Sequence, residues 1–150
     1  MIRLDMEKVT GGVIVKFDFN PPKTADETDE QANARFAGKQ QWAKLACMDL
    51  NANRRYQKRM EVLSKPYRRQ IQLGTMDDDK ADEIALKGFL EMILLDWGNI
   101  PIPGAVPFNV EGARKILSEP EWRIFYADLR DAASNVEEFA KVEREEDVKN

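Results

Sequence analysis

The sequence predicts a mainly α-helical protein: a helical domain of four to five helices with a small N-terminal β-hairpin or two-stranded sheet. From residue 51 onward, apolar residues recur at three- and four-residue spacing, which is typical of amphipathic helices. Nearer the N-terminus, β-branched residues cluster in the run VIVKFDF. The 150 residues therefore divide into a β-containing segment 1–50, a helical domain 51–140 and a charged C-terminal tail 141–150.

The N-terminal segment is predicted to contain two strands. Residues 13–19 form the first, which ends at Asn20-Pro21-Pro22. Residues 41–48 form the second, and the two strands can pair as a small sheet. The connection between them, residues 23–38, is polar and acidic with little to bury, so we expect a mobile loop.

Capping residues predict the first helices. Asn51 or Asn53 can begin a helix that runs to about Lys65, because an Asn side chain accepts a hydrogen bond from a free N–H of the first turn. Pro66 suits the first turn of a short second helix. Gly74 ends that helix, since glycine readily adopts the left-handed conformation of a C-terminal cap.

The clearest helix begins at Asp77 or Asp78 and is predicted to continue through Trp97 to Gly98. Its apolar face is wide, which places it at the centre of the core. The acidic run Asp77–Asp79 also raises the question of a divalent metal. We favour capping, because acidic residues at a helix N-terminus are stabilised by the helix dipole and the run lacks the spacing of a calcium loop.

Two further helices complete the domain. Asn109 is predicted to cap a short helix to about Leu117. Ser118 then opens the last helix through a capping box with Glu121, with Pro120 among its first residues. The apolar stripe of this helix consists of Trp122, Phe125, Tyr126, Leu129, Ala132, Ala133, Val136 and Phe139.

The residue types that the sequence lacks exclude several kinds of catalytic and metal site. The chain has no histidine and one cysteine, Cys47, so the commonest general base and any Cys/His zinc site are excluded. It also lacks the glycine-rich loops that bind phosphates. We therefore expect no catalytic site, no bound metal and no cofactor, and we do not expect an enzyme.

The sequence also predicts a cytoplasmic protein. Its longest apolar stretch, residues 89–97, is too short to span a bilayer and is interrupted by two carboxylates. The N-terminus lacks the apolar run of a signal peptide.

A basic segment, Arg54–Arg69, carries seven positive charges in sixteen residues, opposed only by Glu61. Such a cluster can bind a phosphate backbone. An ordinary solvated helix face has the same pattern and is favoured here, because the whole chain has a net charge of −4. Nucleic acid is therefore disfavoured as a partner, although binding through this segment stays open as an alternative function.

Residues from about 38 to 150 resemble the tail assembly chaperones of tailed bacteriophages. The resemblance is carried by NANRRYQKRMEVLSKPYRRQIQLGTMDDD, by the helix ending in LLDWGNI, by PIPGAVPFNVEGARKIL and by the ending NVEEFAKVEREEDVKN. It implies a non-catalytic protein of the host cytoplasm that binds the tape measure protein and helps bring tail tube protein to it. A structural virion protein, such as a tail completion or head–tail connector component, is the alternative, and self-association stays open.

The family offers no catalytic motif to transfer. Candidate partner-binding residues are therefore chosen for their type and position. On the basic segment the candidates are Tyr56, Arg59, Tyr67 and Arg68. Trp97 and Trp122 follow as aromatic anchors at helix ends, although aromatic residues in helical stripes are more often core.

Overall fold

A small antiparallel sheet packs against helices that follow it in the chain. The computed structural model describes residues 2–9, 12–19, 28–30, 40–100, 108–135 and 139, the first of these ranges by its backbone alone. The strands are β1 (Ile2–Val9), β2 (Gly12–Phe17), β3 (Gln41–Leu45) and β4 (Leu94–Gly98). The α-helices are α1 (Arg54–Ser64), α2 (Arg68–Leu73), α3 (Asp78–Met92), α4 (Val110–Leu117) and α5 (Arg123–Ala133). The predicted class, mainly α with a small sheet, is confirmed.

The sheet is larger than predicted. Its strand order is β1-β2-β3-β4, with antiparallel neighbours throughout. The two predicted strands correspond to β2 and β3, and Val15 lies opposite Ala43 in their shared register. The predicted pairing of these two strands is confirmed, and β1 and β4 extend the sheet on either side. Of the predicted mobile loop 23–38, only residues 28–30 are described, and residues 29 and 30 are helical.

Alternation along the strands buries one face of the sheet. Successive side chains of a strand point to opposite faces, so alternate residues of β2 and β3 reach the core. In β4 a shift in register with β3 places Leu94 and Trp97 on this face. The buried residues of this face are Val13, Val15, Phe17, Ala43, Leu45, Leu94 and Trp97. The opposite face carries Lys16, Trp42, Lys44 and Asp96 in neighbouring register positions.

The predicted extension of the third helix to Trp97 is wrong. Helix α3 ends at Met92, and the next residues form β4 against β3. The run from Ile93 to Trp97 is apolar enough to suit a helix or a buried strand, and periodicity alone does not distinguish them over so short a stretch. Antiparallel pairing with β3 is what makes residues 94–98 a strand. Gly98 then lies under the indole of Trp42, where a Cβ atom would collide with the ring.

The predicted caps are largely confirmed. Asn53 Oδ1 accepts the backbone N–H of Tyr56 at 3.1 Å, and Asp77 Oδ1 accepts that of Asp79 at 3.1 Å. Asn109 Oδ1 accepts the N–H of Gly112 at 2.7 Å. Gly74 ends α2 with a φ of 68°, in the left-handed region where glycine is favoured.

The predicted start of the last helix is wrong. The Ser118 hydroxyl donates to the Arg114 carbonyl at 2.6 Å, so Ser118 closes α4 and does not form a capping box with Glu121. A 3₁₀ turn, Pro120–Trp122, follows and leads into α5. The apolar stripe is confirmed where it is described, except that Tyr126 is only half-buried, while Val136 and the tail 141–150 lie outside the described residues.

Phe125 on α5 is the centre of the aromatic core. Its ring is 4.9 Å from that of Phe17 and 4.9 Å from that of Phe19, measured between centroids. The rings of Trp122 and Trp97 lie 5.5 and 6.1 Å away. The sheet and the helices therefore share one hydrophobic cluster. Within the described ranges, no helix is long and apolar enough to cross a membrane.

Candidate functional site

A groove of about 840 Å³ runs along the helical side of the molecule, bounded by α3, α4 and α5; we call it the helix groove. Leu86, Leu90 and Leu117 contribute its apolar floor, together with Tyr126 and Ala127. The side chain positions follow from helix periodicity, because residues three and four apart share a face. On α3, Asp79, Glu83, Leu86 and Leu90 fall on the side turned away from α1.

Charged side chains line the walls above this floor. Helix α3 contributes Asp79, Asp82, Glu83, Lys87 and Glu91. Helix α5 contributes Arg123 and Arg130, while Glu111, Arg114 and Glu119 come from α4 and the turn after it. An apolar floor with charged walls is chemically compatible with the apolar stripe of an amphipathic helix.

Tyr126 joins the two long walls of the helix groove. The Arg130 guanidinium lies over its ring, 5.4 Å from the centroid, and the Phe89 ring meets it edge-on at 5.4 Å. Burial raises the pKa of Tyr126; the Arg130 charge partly opposes this rise, and the Asp82 carboxylate adds slightly to it. Tyr126 therefore stays a neutral hydrogen-bonding phenol under ordinary conditions.

The basic segment lies on the other side of α3, where α1 packs against that helix. Arg59 pairs with Glu91, through Nε–Oε2 at 2.5 Å and Nη2–Oε1 at 3.2 Å. The remaining basic side chains are exposed and make no ion pair with any other described residue: Arg54, Arg55, Lys58, Lys65, Arg68 and Arg69. Binding of nucleic acid by this segment remains a prediction.

The six candidate residues from the sequence are not brought together. Tyr56, Trp97 and Trp122 are buried in the core, with 4%, 5% and 7% of their surface exposed, so they support the fold from within. Burial also raises the pKa of Tyr56, with Arg130 opposing it.

The other three candidates lie nearer the surface. Arg59 forms an ion pair with Glu91, and Arg68 is exposed. The Tyr67 ring is half-buried, and the Lys80 ammonium lies 5.2 Å from its centroid. Their role in partner binding also remains a prediction.

The Arg59–Glu91 pair gives a pH-dependent test of the packing of α1 on α3. The hydrogen bond from Arg59 holds the pKa of Glu91 below its ordinary value, although partial burial opposes it. A lowered pKa in the folded state means that stability is present above the ordinary glutamate pKa and is lost as the pH falls through the lowered one. We expect Glu91→Gln to be mildly destabilising at pH 7 and neutral in strong acid.

A double-mutant cycle with Arg59→Gln isolates this pair. Urea unfolding of the wild type, both single variants and the double variant should give a coupling energy at pH 7 that disappears in acid. A coupling that persisted after the carboxyl group is protonated would contradict the assignment.

Sequence reasoning missed the helix groove. From the sequence, only the acidic run at the start of α3 receives an interpretation, as a helix cap, and the arginines of α5 receive none. A local signal did exist: Arg123, Ala127 and Arg130 recur at four- and three-residue spacing beside the core stripe of α5. Within the part of the chain that the structure describes, no group of three Cys, Asp or Glu side chains is placed to hold a metal ion.

Comparisons with known proteins address the helical part of the chain. A family model described as YdaY prophage protein matches residues 51–150. The matched segment contains α1–α5, β4, the basic segment and every residue of the helix groove. Neither the curated proteins nor the solved structures contain a match to this chain. Since the family model covers well over half of the sequence, this phage-derived chain belongs to the YdaY prophage protein family.

Proposed function

We propose that this protein is a non-catalytic tail assembly chaperone that acts in the host cytoplasm and binds a helical segment of the tape measure protein in the helix groove. The observation that carries the proposal is the groove itself, whose apolar floor lies between charged walls. A tape measure protein is a long helical protein, and its apolar stripe needs cover before the tail tube surrounds it. Phage origin and the resemblance of residues 38–150 to tail assembly chaperones support the same role.

The charged surroundings of the groove suit a chaperone. A protein that covers apolar helices must itself remain soluble, and charged walls on both sides of an apolar floor limit non-specific association. The groove charges include both signs, so a bound segment can be recognised by charge as well as by apolar contact. The proposed chaperone also helps to bring tail tube protein to the tape measure protein.

Blocking the groove should abolish binding of the tape measure protein. Ala127 lines the groove on α5 and is exposed, so Ala127→Trp fills the groove without altering the core. Co-expression with the tape measure protein of the same prophage, followed by affinity purification, measures the effect. We expect at least a tenfold loss of co-purified tape measure protein, about the effect of removing one central contact.

Ile124→Trp is the matched control. Ile124 lies on the same helix, is 71% exposed and does not line the groove, so this variant should retain the wild-type yield. Equal yields from both variants would exclude the groove as the binding site. If the wild type retained no tape measure protein, the chaperone function would be wrong. If purified particles contained the chain in stoichiometric amount, it would also be wrong, and a structural virion role would be favoured.

A further inference from the structure

The two long walls of the helix groove carry opposite charge. On α3, four of the five lining charges are acidic: Asp79, Asp82, Glu83 and Glu91 oppose Lys87. On α5 both lining charges, Arg123 and Arg130, are basic. These residues come from different parts of the chain, so only the fold places the acidic wall opposite the basic one.

These charges are not used to close the groove. Among the described residues, no ion pair joins α3 to α5. Glu91 pairs away from the groove with Arg59, and Glu83 pairs along its own helix with Lys80 at 3.3 Å. Arg114 likewise pairs along its own helix with Glu111 at 3.1 Å. Arg123 and the acidic side chains Asp79 and Asp82 therefore remain available to a bound segment.

The length of the groove suits a helix of several turns. Asp79 and Glu91 lie twelve residues apart on α3, which corresponds to about 18 Å at ~1.5 Å per residue. A helix lying along this distance with its apolar stripe on the floor presents one flank to α3 and the other to α5. Reversing its chain direction exchanges the two flanks.

We propose that the helix groove selects both the charge pattern and the chain direction of its partner: an amphipathic helix with basic residues along one flank and acidic residues along the other. This inference rests on the proposed function, in which the groove holds a helix of the tape measure protein. In one direction the basic flank meets Asp79 and Asp82 while the acidic flank meets Arg123 and Arg130. In the reverse direction like charges face each other along both walls, which disfavours the complex.

Three synthetic peptides of eighteen residues test the charge pattern. All share one leucine stripe; one has an acidic and a basic flank, one has two acidic flanks and one has two basic flanks. Binding to the full chain is measured by fluorescence anisotropy at low salt, where exposed charges are least screened. We expect the split-flank peptide to bind about tenfold more tightly than either other peptide, the combined effect of a few exposed pairs.

Charge reversal in the protein should change this preference. Arg123→Glu with Arg130→Glu makes both walls acidic, so the peptide with two basic flanks should bind best. Asp82→Lys with Glu83→Lys should favour the peptide with two acidic flanks. The control, Arg68→Glu with Arg69→Glu, makes the same change in net charge as the Arg123, Arg130 variant, but outside the groove, and should keep the split-flank preference.

Direction is tested with two split-flank peptides whose acidic and basic flanks are interchanged. Each carries an N-terminal spin label, which broadens the amide signals of nearby residues. The two labels should broaden signals at opposite ends of the groove, near Asp79 for one peptide and near Glu91 for the other. Broadening at the same end by both, or equal affinity for all three peptides, would overturn the inference while leaving tape measure binding intact. If none of the peptides bound, the helix-in-groove function itself would fail.

Discussion

Phe125→Ala is expected to destabilise the fold by about 3–5 kcal/mol, the range found when a large buried aromatic side chain is removed. Phe125 is 1% exposed, and its ring contacts Phe17 and Phe19 from the N-terminal segment as well as Trp97 and Trp122. The substitution therefore removes the contacts that join the sheet to α5. Since small domains are stable by only about 5–15 kcal/mol, the variant should be partly unfolded in mild urea.

Ile124→Ala is the control for this experiment. The two residues are neighbours on α5, but Ile124 is 71% exposed. Its truncation should change the free energy of unfolding by less than about 0.5 kcal/mol, as at most surface positions. Similar urea midpoints for the two variants would show that the aromatic cluster does not hold the sheet on the helices.

Gly12→Ala is expected to cost about 1–3 kcal/mol, because the added Cβ has no space and the obstructing atom belongs to the backbone. A Cβ on Gly12 would lie 2.6 Å from the carbonyl oxygen of Leu45. Relief requires β2 and β3 to separate at that position, where Val13 and Leu45 are paired. Thermal unfolding of the purified variant measures the loss.

Gly88→Ala gives the matched comparison. A Cβ there would also collide, but with the Sδ of Met60, the end of a flexible side chain that can change rotamer. Alanine gains up to about 1 kcal/mol over glycine inside a helix, which offsets the repacking. We expect a change near zero. A larger loss of stability for Gly88→Ala than for Gly12→Ala would contradict this expectation. It would mean that Met60 cannot change rotamer between α1 and α3.

The features that sequence predicts well are local. Asn53, Gly74, Asp77 and Asn109 each act on backbone groups within a few residues, so their capping chemistry is the same before and after folding. Ser118 is the instructive exception. Its hydroxyl can accept a bond from the following turn or donate to the preceding one, and it is used for the preceding helix.

The features that sequence misses depend on distant partners. Residues 94–98 have no intrinsic reason to leave the helix before them; the edge of β3, some fifty residues earlier, supplies the pairing that makes them a strand. The same is true of the candidate site. Asp82 and Arg123 lie forty-one residues apart, and no spacing rule places them on facing walls. By contrast, Trp97 and Trp122 are candidates because they are aromatic and stand at predicted helix ends, and their apolar surface is used in the core.

The position of β4 has a consequence for residues 51–150, the segment that matches the family model. Between residues 51 and 150 it is the only strand that the structure describes, and its hydrogen-bonding partner β3 lies before that segment. Without β3, both rows of β4 backbone groups would be unsatisfied, and such a strand readily recruits another extended chain. The N-terminal strands thus cover one edge of β4 and prevent another extended chain from pairing there. On its own, the segment 51–150 of this chain would need an equivalent strand from a neighbouring molecule to pair with β4.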